Sequence, residues 1–381
     1  MQPENTLTGS SPDGSGVNES GEKCMPASEG FSIACYENEI PPFIENALER
    51  LYGNIFSSLE QFGIYGNTVN EKVMVVLKDV DVISALLFRQ EKKKVQVLNE
   101  GMIISEEEVT RFVSAIFTAL QSANVVSFHA IKPDIRTLPF PYQRFNCTED
   151  IVLALPDTVS TYLNNLGKAS RKNIKHHLSR LKRNFPSFRF DIYVKEDVSE
   201  QHVRDIIQLN RLRMAGKNKV SAIDGNEAER LIQLVKLRGL VSVAMVDGRV
   251  CAGAICFQIG KNYSSHVTAH DPAYDSYRLG TLCCYLTICA CIERGGKEFH
   301  LLWGRYSYKY MLLGVQRDLD DLVIYRSYSD LLLNGGLALK ILSKSCIRRT
   351  RFWLEHVLSQ DNVMSRLALN LANRVRRRMR F

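Results

Sequence analysis

The sequence lacks the features of membrane-spanning, secreted and zinc-binding chains. No apolar run reaches the roughly 18–20 residues that a membrane-spanning helix requires. The chain does not open with a basic stretch followed by an apolar one, so we expect no secretory signal. Its ten cysteines form no Cys-x-x-Cys pair, and one apolar segment holds Cys283, Cys284, Cys289 and Cys291. We therefore expect reduced, apolar thiols, no metal site and a cytoplasmic location.

Net positive charge is lacking outside the C-terminal region. The formal net charge is +8, and residues 340–381 hold eleven Lys and Arg residues against two acidic ones, so the remainder is close to neutral. This argues against a protein that binds polyanions over its whole surface. We predict that residues 331–381 form a basic amphipathic helical tail that attaches to an anionic membrane surface, at the inner face of the membrane. A helix that docks on its own domain is the alternative.

Composition and pattern divide the chain into four segments. Residues 1–38 are rich in Ser, Gly, Pro, Asn and Glu, which predicts a disordered tail. Residues 39–150 form a small α/β unit, with β-branched strands such as Val73–Lys78 and a helix opened by the capping box Ser105–Glu108. Residues 151–330 form a second α/β unit, and residues 331–381 are the basic tail.

The second unit has a definite order of elements. From Phe188 to Ser327 the periodicity predicts the order β-α-α-β-β-β-α-β-α-β. Asp247-Gly248 is a two-residue hairpin signal between the second and third of these strands. A crossover helix from about Leu279 to Arg294 follows the fourth strand. We therefore predict a mixed sheet flanked by helices.

The start of the crossover helix is a candidate anion site. A helix N-terminus presents unpaired N–H groups and the positive end of the helix dipole. Here it is formed by Arg278, Leu279, Gly280 and Thr281. Arg278 can pair with a phosphate oxygen, Gly280 lets the backbone approach closely, and Thr281 can donate its hydroxyl. An ordinary glycine at a helix start is the alternative.

A motif after the next strand carries a family resemblance. Gly304-Arg-Tyr-Ser-Tyr308-Lys309 follows the strand Phe299–Trp303. With the basic helix around Arg171 and the Gly280 loop, it resembles the CelD-type acyltransferases of bacterial polysaccharide synthesis, which have the GNAT fold. Arg305 departs from the acidic residue that this family usually carries near the glycine. The resemblance covers 151–330 well and implies two tandem GNAT-like units, of which the one at 39–150 is degenerate.

The resemblance implies an activity. The expected reaction moves an acetyl or other acyl group from acyl-CoA, the co-substrate, to an amine or hydroxyl of a cell-envelope saccharide or its precursor. Such a transfer needs a base for the acceptor and a proton for the leaving thiolate. His270, followed by Asp271, is the candidate base, and a strand cap is its alternative role. Tyr308 or Tyr310 is the proton donor that the resemblance implies, and the sequence does not choose between them.

Basic residues are the candidates for binding the acceptor. The segment Lys168–Arg183 contains seven Lys and Arg residues and no acid. The resemblance implies that Arg171 and Lys175 line a groove for an anionic, nucleotide- or lipid-linked sugar, with Gly304 and Lys309 holding part of the acceptor or cofactor. A solvated helix face is the alternative for the first pair, and a surface lysine for Lys309.

Two rival functions remain. Fem-type aminoacyl ligases also use paired GNAT units but take their acyl group from aminoacyl-tRNA. They need no coenzyme A, and the short Gly280 loop slightly favours them. A non-catalytic scaffold or nucleic-acid binder is the other rival. Lys168–Arg183 contains no aromatic residue on which single-stranded bases could stack, which counts against nucleic-acid binding.

Overall fold

The computed structural model describes residues 22–25, 30–37, 40–66, 71–343, 346 and 350. Most of the basic tail predicted for 331–381 lies outside these residues. The disordered tail predicted for 1–38 is wrong where it is described, because Phe31–Glu37 is a strand of the main sheet. The strand forms because Ile33 and Cys35, two residues apart, both face the core. In this described part of the chain, no helix is long and apolar enough to cross a membrane.

Fourteen strands and ten helices make up the described part of the chain. The strands are β1 (Glu22–Met25), β2 (Phe31–Glu37), β3 (Lys72–Lys78), β4 (Asp81–Glu91), β5 (Lys94–Val97), β6 (Ile103–Ser105), β7 (Val125–Asp134), β8 (Tyr142–Ala154), β9 (Arg189–Val194), β10 (Gly239–Val246), β11 (Arg249–Ile259), β12 (Asn262–His270), β13 (Glu298–His300) and β14 (Val315–Tyr325). The helices are α1 (Phe43–Tyr52), α2 (Leu59–Ile64), α3 (Glu106–Ala119), α4 (Val159–Asn165), α5 (Lys168–Asn184), α6 (Glu200–Ala215), α7 (Gly225–Arg238), α8 (Leu279–Glu293), α9 (Ser307–Met311) and α10 (Tyr328–Leu333).

All fourteen strands belong to one mixed sheet. Its order is β1-β2-β3-β4-β5-β7-β14-β8-β13-β12-β11-β10-β9, with β6 beside β7. The last strand, β14, lies between β7 and β8 and pairs with both over long stretches. The boundary predicted near residue 150 falls inside β8. The two α/β units therefore share one continuous sheet.

The predicted element order of the second unit is confirmed. It appears as β9-α6-α7-β10-β11-β12-α8-β13-α9-β14. Asp247 and Gly248 both have positive φ, 50° and 75°, as a two-residue turn between β10 and β11 requires. In the first unit, the Ser105–Glu108 capping box opens α3 as predicted, with both of its reciprocal hydrogen bonds present.

Helices cover both faces of the sheet. In the second unit, α4, α5 and α8 pack on one face, and α6 and α7 pack on the other. Helix α8 is apolar on all sides, and the four cysteines that the sequence places there are buried free thiols. Burial raises the pKa of the Cys283 thiol to about 12. The prediction of reduced, apolar thiols is confirmed for these four residues.

A cluster of charges joins the two units. Arg238, at the end of α7, donates to Glu45 Oε1 at 2.7 Å and to Glu49 Oε2 at 3.0 Å, both on α1. Its Nε also bonds to Glu60 of α2. The Arg238 side chain is 18% exposed. One guanidinium therefore forms hydrogen bonds with three carboxylates at the junction.

Removal of this guanidinium is expected to destabilise the protein. Arg238→Ala should lower the free energy of unfolding by about 2–3 kcal/mol, since it leaves three half-buried carboxylates facing one another. Arg238→Lys should recover only part of the lost free energy of unfolding, because an ammonium cannot form the same set of hydrogen bonds with three carboxylates. Urea denaturation measures the change. The control is Arg204→Ala, whose exposed pair with Glu229 is worth less than about 1 kcal/mol. Equal losses in the two alanine variants would contradict the interpretation.

Candidate functional site

The gap between β12 and β13 is the central feature of the site. These strands run parallel but pair over only three positions, from Asn262 with Glu298 to Ser264 with His300. Strand β12 then continues to His270 along β11, while the chain after His300 diverges from β12. Leu301 and Leu302 remain bonded to Ile151 of β8. Positive φ values at Leu302 (56°) and Gly304 (95°) turn the chain away. The edge of β12 from Ser265 to His270 is thereby left open.

Lys309 stabilises the segment that leaves the sheet. Its side chain is buried, and its Nζ donates to the carbonyl oxygens of Leu301 (2.6 Å), Leu302 (3.0 Å) and Trp303 (2.6 Å). Burial lowers the pKa of this lysine to about 8. All three ammonium donors are in use. The expectation that Lys309 binds an anion of acceptor or cofactor is therefore corrected, since its charge supports the backbone instead.

The two candidate tyrosines lie on opposite sides of α9. Tyr308 is half-buried against the core that contains α8, and burial raises the pKa of its hydroxyl well above the usual range. Cys284 of α8 and Arg213 of α6 are close enough to act on it electrostatically. Tyr310 is exposed, and its hydroxyl donates to Gln316 Oε1 at 3.2 Å. Tyr308 is thus the tyrosine that faces the crossover helix.

The start of α8 keeps part of the predicted anion site. Arg278 is exposed and has a left-handed backbone, and its carbonyl accepts the N–H groups of Thr281 and Leu282 at 3.0 Å each. The Leu279 side chain is buried in the core, so this residue offers only its backbone. Gly280 and Thr281 are half-buried. The N–H groups of Leu279 and Gly280 are those that a helix start leaves for a ligand.

His270 lies directly over this helix start. A Cβ on Gly280 would come within 2.5 Å of His270 Nδ1, so the glycine makes room for the imidazole. This differs from the predicted use of Gly280, which was close approach of a pyrophosphate. His270 Nε2 lies 2.7 Å from Asp275 Oδ1. Asp271 instead caps a short 3₁₀ helix by accepting from the N–H of Ala273 at 2.9 Å.

Helix α5 brings positive charge to the same place. Arg180 donates to the carbonyl of Ser276 at 3.4 Å and lies over the Tyr277 ring. The pKa of His177 is lowered by burial and then by the charges of His176, Arg278 and Arg180. Among the described residues, no carboxylate pairs with any cation of α5. Arg171 and Lys175, on the same helix, are half-buried and exposed respectively.

A cavity lies on the opposite face of β12 from α8. Tyr263 packs in the core with α8, and the next residue, Ser264, lines this cavity of about 270 Å³. The cavity extends between the two units and includes His300 and Trp303. At its edge the N–H of Gly304 donates to Glu149 Oε1 at 3.2 Å, and Arg305 Nε lies 3.7 Å from Glu149 Oε2. Glu149 thus supplies an acidic group beside this motif glycine from another strand.

Sequence reasoning missed several of these groups. Asp275 is five residues from His270, and that spacing within one loop is a signal that could have identified it. Glu149 and Asp150 could not be found in this way, because they reach the site from β8 through the strand order. Asp150 Oδ2 lies 2.6 Å from Nδ1 of the buried His300, and Glu298 Oε2 lies 3.2 Å from its Nε2.

The family comparison agrees with this geometry. Residues 168–310 match the family model of the acetyltransferase (GNAT) domain. This range runs from the start of α5 to Tyr310 and contains the open edge of β12, the start of α8 and Tyr308. No curated protein matches the sequence significantly.

Solved structures share the fold over most of this chain. FemX aligns with a TM-score of 0.57 and 9% identity, over 77% of this chain and 98% of that one. A conserved protein of unknown function from Bacteroides thetaiotaomicron aligns with a TM-score of 0.51 and 11% identity, over 76% and 99%. At such identities the likeness extends to the fold alone. The predicted GNAT fold, a mixed sheet flanked by helices, is confirmed.

The buried His300 makes stability depend on pH. Burial favours its neutral form, but the contacts with Asp150 and Glu298 outweigh this and raise its pKa to about 9. The folded state therefore keeps a proton that the unfolded chain loses near pH 6.5. The stabilisation, about 3 kcal/mol, is complete below about pH 6.5 and is lost as the pH rises to about 9.

Urea denaturation between pH 6 and pH 9 (about the range set by these pKa values) measures this effect. The difference in unfolding free energy between the wild-type protein and His300→Gln should shrink as the pH rises. A difference that stays constant across the range would contradict the assigned proton.

Proposed function

We propose that the protein is an acyltransferase that moves an acetyl or other acyl group from acyl-CoA to an amine or hydroxyl of a cell-envelope saccharide or its precursor. The observation that carries the proposal is the position of Tyr308. Its side chain is half-buried against the core that contains α8, on the short helix that follows the divergence of the chain from β12, within the range that matches the acetyltransferase domain. A hydroxyl in this position can protonate a thiolate that leaves along the gap.

The start of α8 supports the binding of acyl-CoA. The free N–H groups of a helix start and the guanidinium of Arg278 suit a pyrophosphate, and the Thr281 hydroxyl adds a donor. Arg180 of α5 contacts the loop before this helix start, which strengthens its attraction for an anion. When bound, acyl-CoA supplies the activated thioester. The residues of this chain hold its phosphates and orient its reactive end.

His270 is the proposed base. Asp275 Oδ1 lies 2.7 Å from its Nε2, so the carboxylate fixes the ring and its tautomer. Nδ1 faces Gly280 and the helix start. Once the ring has turned off Gly280 to admit the pyrophosphate, the imidazole accepts a proton from the attacking amine or hydroxyl, and Tyr308 donates one to the leaving thiolate.

The proposed acceptor is anionic. The cations of α5, including Arg171 and Lys175, have no carboxylate partner among the described residues, so their charge is available to an anionic nucleotide- or lipid-linked saccharide. The basic tail of 331–381 suits attachment to the inner face of the membrane, where lipid-linked precursors are found. We include that attachment and a cytoplasmic site of action in the proposal.

A Fem-type ligase that uses aminoacyl-tRNA is the second candidate. The observation that favours it is the His270 ring, which lies over Gly280 where a pyrophosphate would approach. An enzyme that does not bind coenzyme A does not require open space over Gly280. The positive face of α5 suits an RNA backbone as well as an anionic saccharide.

Titration of the protein with coenzyme A by calorimetry separates the two candidates. The acyltransferase proposal predicts one saturable site. Arg278→Ala should weaken binding by about tenfold, through loss of one charge-assisted contact. Absence of binding at millimolar coenzyme A, together with binding of aminoacyl-tRNA, would instead favour the ligase.

The two tyrosines supply a matched pair for the chemistry. Tyr308→Phe should leave coenzyme A affinity unchanged and lower the transfer of labelled acetyl groups into extracted envelope precursors by about 100-fold or more. Tyr310→Phe loses only a surface hydrogen bond to Gln316, so it should keep both the coenzyme A affinity and the transfer activity of the wild-type protein. Equal activity of the two variants would remove Tyr308 from the mechanism.

A further inference from the structure

Three neighbouring strands bring together a histidine, a cysteine and an aspartate at the junction of the two units. His129 lies on β7, Asp321 on the adjacent β14, and Cys147 on β8 beyond it. Their ligand atoms all lie within 4.8 Å of one another. No sequence spacing reveals this group, because 18 and 174 residues separate its members along the chain.

Irregularities on both sides of β14 create the group. Against β7, Asp320 pairs with Ile131 and Leu322 with Phe128, so Asp321 faces two residues, His129 and Ala130. Against β8, Leu319 pairs with Thr148 and Asp320 with Asn146, so Cys147 is the extra residue. Bulges of this kind redirect side chains and are common beside functional sites. The irregularity on β7 directs His129 toward Asp321, and the one on β8 directs Cys147 toward the same aspartate.

The backbone is strained at the same point. Ala130 has a φ of 49°, in the left-handed region that alanine rarely adopts. Its N–H donates to Asp321 Oδ1 at 3.1 Å. Asp321 therefore holds in place the bulge that presents His129. Such strain persists only where the surrounding structure enforces it.

The group opens into the cavity between the units. His129 and Cys147 line the cavity of about 270 Å³, and so does Glu100, whose carboxyl pKa is raised by burial. Asn54 also lines it, with both atoms of its side-chain amide buried and without a partner among the described residues. Buried polar groups normally have partners, which ordered water or a polar ligand in the cavity would supply here.

We propose that His129, Cys147 and Asp321 bind a divalent transition-metal ion of the zinc class, with its fourth coordination position open to the cavity. Imidazole nitrogen, thiolate sulfur and carboxylate oxygen are the donors that zinc takes in proteins, and three protein ligands with one open position is a common arrangement. The open position accepts water or an oxygen of a molecule in the cavity. The proposal is independent of the acyltransferase function and differs from the expectation of no metal site.

Binding requires a small local rearrangement. His129 Nδ1 and Asp321 Oδ1 are now 2.5 Å apart and share a hydrogen. A tetrahedral ion with bonds of about 2.1 Å separates its ligand atoms by about 3.4 Å, so the pair must open by about 1 Å. His129 is half exposed, which leaves its ring free to move by this amount. The ion replaces the shared hydrogen and the thiol proton, so binding releases protons.

Cobalt substitution is the direct test. Full-length protein without a histidine tag is freed of metal by dialysis against a chelator and titrated with Co²⁺. We expect one saturable site, with the charge-transfer absorption of a thiolate bound to Co²⁺, and its loss when Zn²⁺ displaces the cobalt. Cys147→Ser should abolish that absorption. Cys346→Ser, which changes an exposed cysteine elsewhere, should leave it intact.

The affinity for Zn²⁺ provides a second measurement. His129→Ala changes a half-exposed side chain, so it should fold, and it should weaken zinc binding by at least about 100-fold. Removal of a group that only hydrogen-bonds to a metal ligand typically lowers metal affinity by about 10–100-fold, and removal of a ligand itself should cost at least as much. Circular dichroism verifies the fold of each variant. Absence of saturable binding, equal zinc affinity in His129→Ala and the wild-type protein, or unchanged absorption in Cys147→Ser overturns the proposal.

Discussion

The short parallel pairing of β12 and β13 is the constraint on which the site depends. A chain that leaves a sheet exposes carbonyl groups that must find other donors. Lys309 supplies them, with one ammonium bonded to the carbonyls of Leu301, Leu302 and Trp303. This anchor fixes α9, and therefore places Tyr308 against α8. The open edge of β12 and the burial of Tyr308 against the core of α8 both follow from this divergence.

Local signals made much of the fold predictable from the sequence. The strand and helix order of the second unit follows from periodicity, and the α3 capping box and the Asp247-Gly248 turn follow from the residues present. The insertion of β14 between β7 and β8 has no such signal, because long-range pairing decides it. The N-terminal strand Phe31–Glu37 was missed because a polar composition around it outweighed a short apolar alternation.

The candidate site was less predictable than the fold. The sequence predicts a site at the α8 start, His270 and the pair of tyrosines, but it does not choose between Tyr308 and Tyr310. That choice depends on which face of a five-residue helix meets the core. The role of Lys309 was predicted wrongly because most lysines are exposed. Only the tertiary structure shows that three backbone carbonyl groups accept hydrogen bonds from its ammonium. Asp275 was overlooked although it lies only five residues from His270. Glu149 could not be found, because it reaches Gly304 from a strand that is distant in the sequence.

His270 connects the two proposed uses of the site. Its ring lies over Gly280 and is held by Asp275, so it is placed both to act as a base and to cover the helix start. For an acyltransferase, the ring must turn aside by rotation of its side chain when a pyrophosphate arrives. For a ligase that uses aminoacyl-tRNA, it can remain where it is.

A crystal structure of the protein with coenzyme A tests this account most directly. The account predicts that the pyrophosphate lies on the N–H groups at the start of α8, that the His270 ring has moved off Gly280, and that the sulfur lies within hydrogen-bond distance of the Tyr308 hydroxyl. Crystals soaked at saturating coenzyme A in which His270 still covers Gly280 and the edge of β12 stays empty would contradict it.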